Sequence, residues 1–227
     1  MAPIRFGIPL YPYQALDVIG PLDILAGISK NLLQQVANAG LAPAGQEELG
    51  VDIEFYHIRD PSTIATSAQT DLELENYHVS ATTTCDECPP LDYLLFGGPM
   101  PTYRLSDKMT SFIKERLAKN EIKTIFTTCT GSAVLAQTGL LDGKRAAVNL
   151  GFYPFVRKLY PAVNWLGPDE DINWIVDGDI WTANSACAGM DMFADWVIQQ
   201  YGVELAKSSF EGLGFAPRGV DGKFRSL

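Results

Sequence analysis

The stretch KTIFTTCTGSAVLA, Lys123 to Ala136, decides the fold. Its opening reads as a buried strand from Lys123 to Thr128, because β-branched and aromatic residues crowd together there. From Gly131 the residues turn small, and a helix is expected to run to Leu141, closed by Asp142-Gly143. Cys129 and Thr130 fall on the sharp turn between the two. A strand turning straight into a helix is the repeating unit of a parallel α/β sheet, and the flanking sequence keeps to that pattern. Further strands are expected over Ile4 to Leu10, Val51 to Ile58, Leu91 to Phe96, Ala146 to Asn149 and Ile175 to Ala183, with hairpin material from Thr63 to Val79. Helices are expected from about Asp17 to Gln35, from Asp107 to Lys119 and from Met190 to Tyr201. Ala37 to Gly50 is small, polar and rich in turn residues, and reads as a surface loop. Right-handed crossovers between such strands give an α/β fold: one mostly parallel sheet flanked by helices. No repeat or linker divides the chain, so residues 1–227 are expected to form a single domain.

Composition removes several classes of function. The chain carries 17 basic against 27 acidic residues, a net charge of −10, so it is expected to bind neither nucleic acid nor an anionic membrane surface. Pro9, Pro12 and Asp17 interrupt the opening segment, which therefore lacks the apolar run of a signal peptide. No stretch is apolar enough to span a bilayer. A cytoplasmic location is expected, where the four cysteines would stay reduced. Phosphate-binding and dinucleotide-binding glycine motifs are missing, so no cofactor is expected. Cys85 and Cys88 form a C-x-x-C without a second pair or neighbouring histidines, which is a poor zinc site; no metal is expected.

Two readings stand for Cys129. A cysteine on a strand-to-helix turn lies against a helix N-terminus, whose N–H groups and dipole favour a thiolate, and Gly131 and Ser132 leave the turn uncrowded. Equally, a free cysteine is often a small core residue. Asp17, near a helix start, reads from position alone as a carboxylate stabilised by the helix dipole. Gly97 and Gly98 end an apolar strand, and either aim backbone N–H groups at a developing charge or serve a tight turn. Thr130 offers an N–H and a hydroxyl beside the nucleophile, or merely fills the turn. Cys187, in a small-residue segment, is expected in the core.

Four blocks of sequence carry a resemblance. They are ALDVIGPLDIL from Ala15, CPPLDYLLFGGP from Cys88, CTGSAVLAQTGLLDGKRA from Cys129 and DGDIWTANSACAGMD from Asp177. Together, in this order, they resemble the ThiJ/PfpI superfamily and, within it, the isonitrile (isocyanide) hydratases. The resemblance implies a flavodoxin-like sandwich, Cys129 as nucleophile, Asp17 as its acid/base partner, a small-molecule substrate, no cofactor and a homodimer. It implies an oxyanion-type role for Gly97 and Gly98 and a supporting one for Thr130. It also sets this chain apart. Many relatives carry a histidine after the nucleophile helix, where this chain has Asn149. Its only histidines, His57 and His78, precede the nucleophile. Protease, glyoxalase and deglycase chemistries in this superfamily generally draw on that histidine; a Cys–Asp hydratase does not need it. A rival is another thiol-dependent lyase or hydrolase acting on a small electrophile, and a second is a redox-sensing module built on a low-pKa cysteine. The last helical pattern ends at Tyr201, which with the acidic charge argues against an appended DNA-binding module.

Overall fold

The computed structural model describes residues 2–41, 45–62, 72–74 and 77–226. In chain order the elements are β1 (Ile4–Pro9), α1 (Ala15–Gly27), α2 (Lys30–Asn38), β2 (Ile53–Arg59), β3 (Leu72–Leu74), β4 (Tyr77–Val79), β5 (Thr83–Thr84) and β6 (Tyr93–Phe96). They continue with α3 (Asp107–Ala118), β7 (Thr124–Thr127), α4 (Gly131–Ala136), β8 (Arg145–Ala146), α5 (Tyr153–Leu159) and β9 (Asn164–Trp165), then β10 (Trp174–Asp177), β11 (Ile180–Ala183), α6 (Ala186–Tyr201) and α7 (Val203–Leu213). Among the described residues the main sheet has seven strands in the order β10-β11-β7-β6-β1-β2-β5, parallel except where β10 runs against β11. The expected mostly parallel sheet flanked by helices is the observed architecture.

The central strands are β1, β6 and β7. All four residues of β6 and the last three of β7 are buried, the burial expected of strands covered on both faces. One face is cemented by aromatic rings. Phe6 of β1 stacks on Tyr93 of β6 at 4.6 Å, and Phe126 of β7 meets Phe193 of α6 at 4.5 Å. Trp196, one turn further along α6, edges against Tyr93 and Phe126. Helix α6 in turn packs against α1 and α7. Because β2 and β6 flank β1 on opposite sides, the chain leaves β1 in one direction and β6 in the other. The crevice at the carboxyl ends of β1 and β6 is therefore the topological switch point, where open α/β sheets gather their ligands.

Several boundaries differ from expectation for local reasons. The helix expected from Asp17 to Gln35 is two helices. Ser29 pairs with Val51 and caps α2, its hydroxyl accepting the Leu32 N–H, so the backbone turns out of helical geometry there. Helix α2 extends into the expected loop, which also holds a short 3-10 turn over Gln46–Leu49. The expected strand Ile175 to Ala183 is a hairpin: β10 and β11 pair across Asp177-Gly178-Asp179-Ile180, with Gly178 at φ 61°. Gly178-Asp179 is the two-residue turn between them. Arg145–Ala146 pairs with Asn164–Trp165 in a separate small sheet, not in the main one. Helix α4 stops at Ala136 rather than Leu141, and α6 begins at Ala186, where Ser185 caps it. Helices α5 and α7 were not foreseen, so the helical pattern does not end at Tyr201. Of the expected Thr63 to Val79 hairpin, β3 and β4 pair antiparallel; 63–71 and 75–76 lie outside the described residues. No helix among the described residues is long and apolar enough to cross a membrane.

The aromatic face predicts where stability resides. Phe126→Ala removes a fully buried ring that touches Phe193, Trp196 and Trp181, and should cost about 3–5 kcal/mol in urea unfolding.

Candidate active site

Three strand ends build the site. Beyond β7, Cys129 adopts φ 56°, the left-handed region. The other non-glycine residues there, among those described, are Asn120 and Asp171, types that tolerate it; cysteine does so only when its surroundings impose it. The imposition is visible. Thr128 N–H donates to Phe96 O (3.0 Å), Gly131 N–H to Thr128 O (2.8 Å) and Asn149 N–H to Cys129 O (3.2 Å). A Cβ on Gly131 would lie 2.2 Å from Phe96 O, so only glycine lets α4 start this close to β6. The turn thus lifts the Cys129 side chain off the end of β7. It remains 8 % exposed.

Asp17 lies past the end of β1, on the helix that follows it. It is the third residue of α1 and wholly buried, with a role no helix-start carboxylate needs. Its Oδ2 accepts the Gly98 N–H at 2.8 Å, and its main-chain oxygen accepts the Thr128 hydroxyl at 2.9 Å. Oδ1 is buried without a hydrogen bond of good geometry, yet the carboxyl is near enough to the Cys129 thiol for each to influence the other's ionisation. Burial pushes the Asp17 carboxyl up to about 7, against the pull of the Gly98 N–H and the thiol. Burial also pushes the Cys129 thiol up, to about 11, and the facing Asp17 charge adds to the rise. The Thr130 N–H, the Asn149 amide and the Thr130 hydroxyl act in the opposite sense. The depressed thiol expected from the helix end is therefore not found. Helix α4 has only six residues, and its terminus is outweighed by desolvation and a neighbouring carboxylate. With the acid near 7 and the thiol well above it, the proton they share rests on sulfur, the stronger base of the two, and Asp17 is the group that ionises first.

The glycines sit in close contact with the pair. The Gly98 N–H is taken by Asp17 and so holds the acid in place. A Cβ at Gly98 would stand 2.6 Å from both the nitrogen and the hydroxyl oxygen of Thr130, and 2.9 Å from Asp17 Oδ2. Gly97 offers its carbonyl to the Tyr11 hydroxyl at 2.8 Å, and a Cβ there would strike Val18 and Tyr13. Both positions are constrained by close packing around the site. Thr130 is 1 % exposed and its hydroxyl donates to Pro99 O, so it ties the turn after β6 to the turn after β7.

The structure adds a residue that sequence reasoning marked only as a departure. Asn149, 20 positions beyond the cysteine, reaches its sulfur: Nδ2 donates to Sγ at 3.3 Å. No spacing rule would have found this, because the turn between β8 and α5 that carries it is placed by the sheet. Neither His57 nor His78 is among the groups acting on Cys129. Cys85 and Cys88 are free and buried in the core, and burial raises their thiols to about 12 and about 11. Cys187, expected in the core, is exposed: Ser185 caps α6 and leaves the second residue of the helix facing outward. Among the described residues no cluster of three or more His, Cys, Asp or Glu is arranged to hold a metal.

A cysteine on a strained strand-to-helix turn, with a buried acid from the first helix beside it, is an arrangement with known relatives. The DJ-1/PfpI family pattern matches residues 58–199. The chain belongs to the DJ-1/PfpI family. That match includes Cys129, Thr130, Gly97, Gly98 and Asn149 but stops short of Asp17. The chain is also 26% identical over 217 residues to the isonitrile hydratase of Pseudomonas putida, an alignment covering 94% of this chain and 79% of that protein. Among solved structures it is similar to a ThiJ/PfpI family protein from Pseudomonas syringae, with TM-score 0.68 and 17% identity over 96% of this chain and 78% of that one. It is similar too to an AraC family transcriptional regulator from Pseudomonas putida, with TM-score 0.65 and 18% identity over 93% of this chain and 100% of that one. At these identities the structural matches speak for the fold alone.

The buried acid has a measurable effect on stability. Asp17 titrates near 7 when folded and near 4 when unfolded, so between those values the folded state holds the extra proton and stability falls as pH rises. Asp17→Asn should match wild type near pH 4 in urea unfolding and exceed it by on the order of 3 kcal/mol at pH 8.

Proposed function

We propose that this protein is a cofactor-free isonitrile hydratase, adding water to an isonitrile to give an N-substituted formamide. The observation that carries the reading is the buried pairing of Cys129 with Asp17 in a site without histidine. The likeness to the Pseudomonas putida hydratase supports it. In this reading the Cys129 sulfur attacks the terminal carbon of the isonitrile while Asp17 takes the thiol proton. Asp17 then delivers that proton to the same carbon, leaving a thioimidate with a new C–S and a new C–H bond. Water adds to this carbon, and Asp17 carries a water proton to the nitrogen. The C–S bond breaks, the remaining hydroxyl proton goes to sulfur, and the formamide leaves with the thiol restored. One carboxyl that reaches sulfur and carbon suffices for every transfer, and a pKa near neutrality suits a group that must accept and donate in turn.

The same features count against the sensing alternative. Oxidation favours exposed thiolates, whereas this thiol is buried and held protonated. A homodimer and a cytoplasmic location belong to the proposal. Exposed Leu150, Phe152 and Phe155 beside the site support pairing, and light scattering should give about twice the 24.8 kDa of one chain.

The test is turnover of a simple isonitrile followed by its formamide product. Wild type should be active, with kcat/KM rising through about pH 7 as Asp17 ionises. Cys129→Ala should be inactive and form no adduct. Asp17→Asn should lose about 10²–10⁴ in rate without accumulating a covalent adduct by intact-protein mass, because deprotonation of the thiol and protonation of the carbon both lose their assisting group. Absence of turnover in wild type would refute the hydratase reading, and full activity in Asp17→Asn would remove Asp17 from the mechanism.

A further inference from the structure

Asn149 lies in the irregular turn between β8 and α5, yet both ends of its side chain are fixed. Oδ1 accepts the Gly151 N–H at 3.0 Å, and the residue's own N–H donates to Cys129 O at 3.2 Å. An amide has one acceptor edge and one donor edge. With the acceptor edge occupied by Gly151, the donor edge is the one that meets the sulfur, 3.3 Å away. The assignment of nitrogen and oxygen therefore follows from the network.

An amide N–H to sulfur is worth little when the sulfur is a neutral thiol and considerably more when it is a thiolate, because the bond becomes charge-assisted. That difference acts on the chemistry, since it favours the ionised form of Cys129 over the protonated one. Two other neutral donors act in the same sense, both from the turn itself: the Thr130 N–H, and the Thr130 hydroxyl, whose single proton also serves Pro99 O. Among the described residues Asp17, on α1, is the one charged group acting on the sulfur; α4 and the turns after β6 and β8 contribute neutral groups only.

We infer that Asn149 is a catalytic residue of this site: its amide, locked by Gly151, donates to the Cys129 sulfur and favours the attacking thiolate while itself taking no proton. The role rests on Cys129 being the nucleophile, as the hydratase reading has it, but not on the electrophile being an isonitrile. It explains how a thiol raised by burial and by a facing carboxylate can react near neutral pH. The amide stabilises sulfur as the proton crosses to Asp17, and, being unable to titrate, it leaves Asp17 as the one group whose ionisation sets the rising limb of the pH profile.

The competing role is structural, since the Oδ1 bond to Gly151 also shapes the turn. Two variants separate them. Asn149→Ala removes both bonds. Asn149→Ser restores an acceptor for the Gly151 N–H, as serine does in such turns, but its shorter side chain does not extend to the sulfur. The readout is the pH dependence of Cys129 alkylation by iodoacetamide, followed by peptide mapping in a Cys187→Ser background, which removes the exposed thiol. Both variants should react at Cys129 about tenfold more slowly than the parent at pH 7, with the titration displaced to higher pH. Isonitrile kcat/KM should fall by a similar factor, while Asn149→Ser keeps the thermal stability of the parent. If Asn149→Ser alkylates with the parent's rate and titration, or if Asn149→Ala leaves both unchanged, the inference is overturned. The two readings fail separately. A shifted alkylation profile in a protein that never hydrates isonitriles retains Asn149 and discards the substrate, whereas normal turnover with an unshifted profile discards Asn149 alone.

Discussion

The carboxylate of Asp17 accepts the N–H of Gly98 while the carbonyl of the same residue accepts the hydroxyl of Thr128, so one buried residue of α1 ties together the ends of β6 and β7. Everything at the switch point depends on that bridge. The Thr128 hydroxyl reaches Asp17 only because Thr128 is also held to Phe96 O, and that pair of bonds fixes where the chain must turn. The turn then leaves Cys129 in a left-handed conformation directly over the acid. Gly98 has no room for a side chain and Gly131 none either, because acid, turn and helix start all converge on their backbones. The strain at Cys129 is thus sustained by hydrogen bonds distributed over three strands.

The electrostatics follow from the same geometry. Burying a carboxyl and a thiol side by side with few compensating donors makes each reluctant to ionise; the Asp17 charge opposes ionisation of the thiol, whereas the thiol, as a donor, favours that of the acid. The pair therefore behaves as a single unit sharing a proton, in which the neutral donors decide how readily that proton moves. Thr130 is tied to Pro99 and Gly98 to Asp17, which leaves the Asn149 amide as the donor aimed at sulfur from outside the turn. Among the described residues, the groups that favour the thiolate in this site are all neutral hydrogen-bond donors.

The strands and their burial were legible wherever one side-chain pattern dominated. YLLF and TIFT are continuous apolar runs that belong only in the centre of a sheet, and the Cys-Thr-Gly-Ser turn stands out because a small-residue helix follows a β-branched strand. What escaped notice was governed by single residues or by distant partners. Ser29 splits one expected helix into two because its hydroxyl caps the second and its backbone pairs with Val51, 22 residues away. Gly178-Asp179 folds an expected strand into a hairpin, a two-residue turn set among apolar residues that by themselves read as one strand. Cys187 sits among small residues that resemble core, yet the cap at Ser185 turns it outward.

The sequence by itself determined the alternation of strands and helices, the acidic balance of the chain, and the strand-to-helix turn at Cys129, because each is a local property of chemically distinctive residues. It also marked Asp17 and the missing histidine, through the order of its four blocks. Tertiary structure alone decided that Asp17 lies under the thiol, that the Gly98 N–H serves the acid, and that Asn149 donates to the sulfur. It alone decided the direction of the thiol's pKa, since desolvation and the charge of a residue 112 positions away outweigh the local helix end. The division has one physical cause. Backbone propensity and apolar patterning act over a few residues and can be read along the chain, whereas burial and hydrogen-bond partnership are set by which strand ends the sheet brings together.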